Sequence, residues 1–215
     1  MKRPLTTRLA AADALSRATI AMAAEGRPLM RRILPEGVPI HLWDRYPVGD
    51  IVSPGTGARA FYHAHPDANA EPGEHGHFHF FLTVGAMPAG AMPLRGPTER
   101  VPMPDDIVHV AAMAISVTGL PTALFTLNRW ATDEWLYPAP AVLEALDKFD
   151  LRDAPGDPLV GEWLTAAVQL CRPKIATILE RRDAVLATGI GGEDRDHEQL
   201  SRTAVDLQLL LAEAV

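Results

Sequence analysis

The sequence predicts an α+β fold, in which a mainly antiparallel sheet of at least four strands is flanked by N-terminal and C-terminal helices. Apolar and polar residues alternate through much of the segment 59–129, as they do in strands with one buried face. The segments before and after it carry apolar stripes at helical spacing. An order of helix, then strands, then helices is typical of α+β proteins, whereas regular alternation would indicate a parallel sheet.

Before the strands, the sequence predicts a helical segment at residues 6–33. Thr6 or Thr7 can cap its first turn, because a threonine hydroxyl accepts a hydrogen bond from a free backbone N–H group there. Gly26 interrupts the pattern, and glycine weakens a helix interior, so we expect a break at that position.

Four strands are predicted, at about 59–65, 75–84, 107–117 and 122–129. The first two are close in sequence, which favours an antiparallel pair. The last two are apolar on both faces over much of their length, so they should lie in the centre of the sheet or be covered. The proline-rich segment 85–104 directly follows the second strand, and we expect it to act as a lid over that strand's side chains.

The C-terminal part of the chain, residues 140–215, is predicted to be helical. A short helix begins near Pro140, and a longer one begins after Asp157, whose side chain can cap it ahead of Pro158. A final helix is expected over 194–212 because four apolar residues share one stripe. These are Leu200, Ala204, Leu207 and Leu211.

Length and charge exclude several classes of protein. A chain of 215 residues suits one α+β domain spanning 1–215, and a net charge of −7 argues against a general nucleic-acid binder. Cys171 is the only cysteine, so an internal disulfide, a cysteine-rich zinc site and an iron–sulfur cluster are excluded. Asp13 and Arg17 interrupt the apolar N-terminal stretch, and no run approaches the ~20 apolar residues of a membrane span. We therefore expect a cytoplasmic protein without a membrane partner.

Histidines are concentrated in one short stretch of the chain. Five of the eight lie between residues 63 and 79, namely His63, His65, His75, His77 and His79. Because side chains alternate between the faces of a strand, the first two should share one face, and so should the last three. Opposite residues of paired strands have Cβ atoms about 5 Å apart. Imidazoles crowded in this way lose water and repel one another when protonated, and a bound metal ion removes both costs.

The ligand types favour one transition-metal ion per chain, with iron or zinc ahead of copper. Three histidines, or two histidines and a carboxylate, occupy only part of the metal's coordination shell, as in catalytic zinc and non-heme iron sites. Glu74 and Glu71 are the nearest carboxylates, and His109 at the start of the third strand can add an imidazole. Two alternatives remain open, a polar sheet face of hydrogen-bonded histidines without metal, and haem ligation by one histidine.

Candidate substrate-binding residues surround this stretch in the sequence. Arg129 and Trp130 end the fourth strand, where an arginine can clamp a carboxylate or phosphate. The alternative for Arg129 is a structural ion pair with an acidic residue at 133 or 134. Arg45 lies in an aromatic loop that can line the same pocket, and Tyr62 and His109 are further candidates.

Four segments have a distinctive composition: Trp43-Asp44-Arg45-Tyr46-Pro47, Phe61-Tyr62-His63-Ala64-His65-Pro66, Glu74-His75-Gly76-His77-Phe78-His79 and Phe125-Thr126-Leu127-Asn128-Arg129-Trp130. With these segments the chain resembles an uncharacterised family of bacterial proteins of roughly this length, and the resemblance implies no activity. In addition, Gly57 followed by His63-Ala64-His65 partly resembles the first cupin motif, in which one strand supplies two metal-binding histidines. The glutamate of that motif would come slightly before Glu71, and the second cupin motif is not recognisable downstream.

These observations favour a metal-dependent enzyme that acts on a small molecule, by oxygen activation or by metal-water hydrolysis. An anionic substrate is favoured by the arginines near the predicted site. The alternatives are a non-catalytic metal-binding or sensing protein, and a structural protein with a histidine-rich sheet face.

Overall fold

The computed structural model describes residues 7–37, 39–64, 73–97, 100–190 and 194–214. Within these ranges the chain forms a six-stranded sheet in which the strands are neighbours in the order of the sequence. The strands are β1 Tyr46–Val52, β2 Arg59–Ala64, β3 Glu74–Thr83, β4 Ile107–Ser116, β5 Pro121–Leu127 and β6 Gln199–Ala204. Every neighbouring pair is antiparallel. The predicted α+β class with a mainly antiparallel sheet is therefore confirmed.

Helices lie before, between and after the strands. They are α1 Arg8–Ala24, α2 Leu29–Ile33, α3 Arg129–Thr132, α4 Ala139–Ala145, α5 Pro158–Leu170, α6 Arg172–Ala187 and α7 Leu207–Ala212. In the part of the chain that the structure describes, none of them is long and apolar enough to cross a membrane.

Three predicted helix signals have the expected effect. The Thr7 hydroxyl accepts a hydrogen bond from the Ala10 amide at 3.1 Å and caps α1, and Gly26, with a φ of 65°, lies in the break before α2. Asp157 caps α5 by accepting from the Leu159 amide at 3.0 Å, ahead of Pro158. These local patterns are informative because a cap involves only neighbouring residues.

The two faces of the sheet have different roles. Tyr62, Phe78 and Phe80 point to one face, are fully buried, and join the main core with residues of α1, α4, α5 and α6. The opposite face carries a smaller apolar cluster on β4 and β5, which includes Phe125 and Leu127. Histidines of β2 and β3 lie beside this second cluster, where the His77 and Phe125 ring centroids are 4.9 Å apart. One face therefore stabilises the fold, and the other carries the polar groups.

Both edge strands were missed by the sequence pattern. β1 contains Pro47, Gly49 and an Asp50 with a positive φ of 59°, so its apolar residues do not alternate regularly. β6 lies inside the segment 194–212 for which a helix was predicted, and that prediction is wrong there. The helical part of this segment begins only after Asp206, whose side chain caps α7.

A strand forms at β6 because tertiary contacts outweigh the local helical pattern. β6 pairs along its length with β5, and the Ser201 hydroxyl lies 2.6 Å from that of Thr126. The Ser201 hydroxyl also donates to the Ile178 carbonyl of α6 at 2.7 Å. The buried Leu200 then packs with Leu136 and Leu186 in a third apolar cluster.

Arg182 is a fully buried charge on α6. Its guanidinium donates to the Tyr137 carbonyl and to Asp183, with Nη2 2.7 Å from Asp183 Oδ1. Asp183 in turn accepts from the Ala139 amide at 2.6 Å, at the start of α4. Burial lowers the pKa of Arg182, because the interior disfavours its charge. The pair therefore fixes α6 against the segment that leads into α4.

Replacing Arg182 with alanine should destabilise the fold by about 3 kcal/mol, because it leaves a buried carbonyl and a carboxylate without their donor. Urea unfolding followed by far-UV circular dichroism measures the change. The matched control is Arg181→Ala, at the exposed neighbouring position, which should change the free energy of unfolding by no more than about 0.5 kcal/mol. Equal losses in the two variants would contradict this role of Arg182.

Candidate metal centre

Three imidazoles converge on the polar face of the sheet. His63 of β2 lies directly opposite His77 of β3, and His79 follows two residues later on the same face. The Nε2 atoms of His63 and His77 are 2.8 Å apart, those of His77 and His79 are 3.0 Å apart, and those of His79 and His63 are 3.2 Å apart. His77 and His79 are buried, and His63 is half-buried. The three nitrogens thus form a small triangle.

This triangle is positioned so that it could hold a metal ion. Nitrogen ligands lie about 2.0–2.1 Å from zinc, which separates two of them by about 2.9 Å at a right angle and about 3.4 Å at the tetrahedral angle. The observed separations of 2.8–3.2 Å fall mostly nearer the right angle. Three ligands at right angles occupy one face of a coordination shell and leave the other face open.

A β-bulge determines which neighbours join the triangle. Glu74 pairs with Ser116 and Gly76 with Ile115, so β3 has one extra residue, His75, relative to β4. The alternation of faces reverses there, which turns Glu74 towards the triangle. Its Oε1 atom is 3.4 Å from His77 Nδ1.

His75 consequently points to the other face, where its Nδ1 atom lies 2.5 Å from the Tyr62 hydroxyl. The expectation that His75 shares a face with His77 and His79 is wrong, because it assumed an unbroken alternation. Tyr62 itself is fully buried on the core face and does not line the site. Burial also raises the pKa of Tyr62, so that this hydroxyl keeps its proton.

A second bulge brings His109 to the triangle. Phe80 pairs with Ala111 and Phe81 with His109, so Val110 is the extra residue of β4. His109 Nε2 lies 3.3 Å from His79 Nδ1. Thus His77 and His79 each have a further polar group at the ring nitrogen that points away from the triangle, an arrangement common around metal-bound histidines.

His109 is held in its neutral form. Burial, with smaller contributions from the charges of Arg182 and His77, lowers the pKa of His109 to about 3. A neutral imidazole can accept a hydrogen bond at Nε2, which a protonated one cannot. His109 can therefore accept the Nδ1 proton of His79 and keep His79 Nε2 free as a ligand atom.

A cavity of about 220 Å³ adjoins the triangle. Its walls include the three histidines together with Trp43, Arg45, Phe61, Phe81, Thr132 and Glu134. The Arg45 guanidinium lies 4.3 Å from the ring centroid of Phe61, a cation–π contact that places a positive charge at the cavity. The arrangement offers three ligand nitrogens, apolar walls and charged groups within one small space.

Several residues selected from the sequence lie elsewhere. Arg129 forms an ion pair with Asp133 at 2.5 Å, and Trp130 Nε1 donates to the Asp194 carbonyl at 2.7 Å. The first contact is the ion pair of the structural alternative, and the second connects α3 to the segment before β6. His65 and Glu71 lie outside the described residues.

The segment predicted to be a lid lies against another part of the fold. Leu94 packs on the apolar cluster of Leu136, Leu186 and Leu200, and the amide of Leu94 donates to the Leu136 carbonyl at 2.7 Å. Of the residues described between 85 and 104, none lines the cavity. The lid role therefore has no support in this conformation.

Glu134 is a charged cavity residue that the sequence does not single out as functional. The sequence offers Glu134 only as one of two possible ion-pair partners of Arg129, and Asp133 takes that role. Burial raises the pKa of Glu134 to about 7, against the opposing effect of the positive charges of Arg45 and Arg59. No local pattern could have revealed this, because the burial of Glu134 depends on strands that are distant in sequence.

Comparison with known proteins gives a family without an activity. No curated protein and no solved structure matches the chain. A family model described as a domain of unknown function, DUF6969, matches residues 9–205. The matched region contains all six strands described above, the three converging histidines and both bulges. Since the match covers most of its length, the chain belongs to the DUF6969 family.

Proposed function

We propose that this protein is a metal-dependent enzyme that acts on a small molecule at a mononuclear site formed by His63, His77 and His79. The observation that carries the proposal is the convergence of three Nε2 atoms within 3.2 Å of one another beside a cavity. The groups at their outer nitrogens, Glu74 and His109, support it, because such partners orient ligand histidines.

An open coordination position distinguishes catalysis from simple binding. Structural metal sites are usually closed by four protein ligands, whereas catalytic sites keep a position for water or substrate. In the described part of the chain, three histidines form the candidate ligand group, and the cavity lies on their open side. The alternative, a non-catalytic metal-binding or sensing protein, requires a fourth protein ligand. His65 remains the candidate for that ligand.

The ligand set favours iron or zinc over copper in this proposal. Neutral imidazoles in a nearly right-angled arrangement suit iron that activates oxygen, and three histidines also suit zinc that generates hydroxide from water. Arg45 favours an anionic small molecule as the substrate, and the size of the cavity excludes a macromolecule from its interior. A cytoplasmic location and the absence of nucleic-acid and membrane partners belong to the same proposal.

Protein purified without a histidine tag should contain about one equivalent of a transition metal, as a single three-histidine site requires. The variant His77→Ala should lose that metal, because two nitrogens remain. The matched control is His75→Ala, which removes a neighbouring histidine on the other face and should retain it. Elemental analysis, with circular dichroism to verify folding, gives the result.

Two outcomes would count against the site. Wild-type protein with less than about a tenth of an equivalent of every metal, and no binding on reconstitution, would refute it outright. Equal metal loss in His75→Ala and His77→Ala would mean that the ligand set is wrongly assigned.

Replacing His109 with leucine should weaken metal binding by about 10- to 100-fold without abolishing it, because His79 loses the acceptor that orients its ring. Competition with a chromophoric chelator measures the affinity. His109→Gln keeps an acceptor oxygen and should recover part of the loss. If His109→Leu binds metal as tightly as the wild type, His109 does not orient His79.

A further inference from the structure

Glu134 is a carboxylate in the cavity that the metal proposal does not use. It lines the same cavity as the three histidines, but it is not part of the group whose ligand atoms lie within 4.8 Å of one another. Across the part of the chain that the structure describes, its side chain makes no hydrogen bond or ion pair. A half-buried carboxyl group without such a partner is available to a molecule in the cavity.

The backbone on both sides of Glu134 is fixed. Asp133 ends α3 with a left-handed φ of 55° and is paired with Arg129. On the other side, the Trp135 amide donates to the Ile107 carbonyl and the His109 amide donates to the Trp135 carbonyl, each at 3.2 Å. The second of these bonds connects the Glu134 segment directly to His109. The backbone that carries Glu134 is therefore held in place beside His109 before any ligand binds, which favours proton transfer in the cavity.

The acidic neighbours of Glu134 already have partners. Asp133 pairs with Arg129, and Asp106 accepts from Trp135 Nε1 at 3.1 Å and from Arg100 at 2.6 Å. Their negative charges raise the pKa of Glu134, but burial is the larger cause and brings it to about 7. At neutral pH the group is thus close to half protonated, the state in which a carboxyl both accepts and donates protons effectively.

We propose that Glu134 is the proton-transfer residue of this site and that the reaction is the addition of water to a small molecule or its hydrolysis. This inference rests on the proposed function, because the metal would bind the oxygen that is to be deprotonated. The Glu134 carboxylate takes a proton from an O–H group in the cavity, and the electron pair of that bond stays on the oxygen, which becomes the nucleophile. The resulting carboxylic acid then returns the proton, in a hydrolysis to the atom that leaves and in an addition to the other atom of the double bond, so that Glu134 ends in its initial state.

This role favours hydrolytic chemistry over oxygen activation. A hydrolytic step needs one proton removed from water and one delivered to the leaving group, and a carboxyl group that titrates near neutral pH serves both. Arg45 lines the same cavity and can neutralise a carboxylate or phosphate on the substrate. The substrate class that fits is therefore a small anionic ester, amide or phosphoester.

The variant Glu134→Gln removes the titrating group with little change in shape. Its matched control is Glu198→Gln, which removes a negative charge from an exposed residue of the same cavity. Both variants should bind cobalt(II) as the wild type does. If the wild type binds no cobalt, the metal site is refuted. That result differs from one in which cobalt binds and Glu134→Gln has no effect on the pH profile.

In the cobalt-loaded proteins, the visible spectrum is followed from pH 5.5 to pH 9. We expect a transition near pH 7 in the wild type and in Glu198→Gln, and its loss or a shift of at least one pH unit in Glu134→Gln. His63, His77, His79 and Arg45 also line the cavity, but they are the same in all three proteins. Superimposable profiles for the wild type and Glu134→Gln would overturn the proposal.

Thermal unfolding of the metal-free proteins gives a second readout. The pKa of Glu134 is higher in the folded state than its ordinary value of 4.5, so the folded state binds more protons between these two values. Stability contributed by the protonated group is present below pH 4.5 and is lost as the pH rises through 7. The gain in melting temperature of Glu134→Gln over the wild type should therefore be larger at pH 8 than at pH 5. A gain that is the same at both pH values would overturn the assignment.

Discussion

The arrangement of the site depends on the register between β3 and its neighbours. On one side, β3 pairs with β2 without interruption, which sets His63 against His77. On the other side, the register between β3 and β4 shifts at two β-bulges, and each bulge turns one polar residue towards the triangle. Without the first bulge, the side chain of Glu74 would point into the core. Without the second bulge, the side chain of His109 would point into the core. The regular pairing therefore builds the three-histidine face, and the irregular pairing supplies its polar surroundings.

Gly76 shows how tightly this register is constrained. A Cβ atom at this position would lie 2.3 Å from the His63 carbonyl oxygen and 2.5 Å from the Tyr62 hydroxyl. Both atoms belong to β2, which carries His63 of the triangle. A side chain at 76 would thus separate the two strands at the point where their imidazoles meet. The glycine between His75 and His77 is needed for the close approach of the strands and not for an unusual backbone angle.

The charged groups around the triangle connect distant parts of the sheet. Arg202 of β6 donates to Glu74 Oε2 at 3.1 Å and lies over the Phe125 ring at 5.2 Å from its centroid. Glu74 is therefore held between Arg202 and His77. β6, one of the two strands that the sequence did not predict, thus supports the polar face as well as forming one edge of the sheet.

The sequence predicted the features that depend on short-range patterns and missed those that depend on register. The fold class, the cap at Thr7 and the expectation that a subset of the five clustered histidines converges all follow from local spacing. The position of His75 and the burial of Glu134 in the cavity wall do not, because each depends on strands paired far along the chain. The sequence predicts a helix at β6 because its apolar residues fit a helical stripe. Only the pairing with β5 makes the strand the more stable conformation.

The sequential strand order has a consequence for assembly of the protein. The first and last histidines of the triangle are 16 residues apart, within one hairpin, so closing that stretch of chain has a small entropic cost. Hairpin contacts of this kind are local and form quickly, whereas Glu134, which follows β5, and Arg202 of β6 reach the site through contacts of much greater sequence separation. An ion that met the chain early would therefore encounter its three nitrogen ligands before the surrounding cavity existed. The order of the strands would therefore allow the ion to bind before the cavity around it is complete.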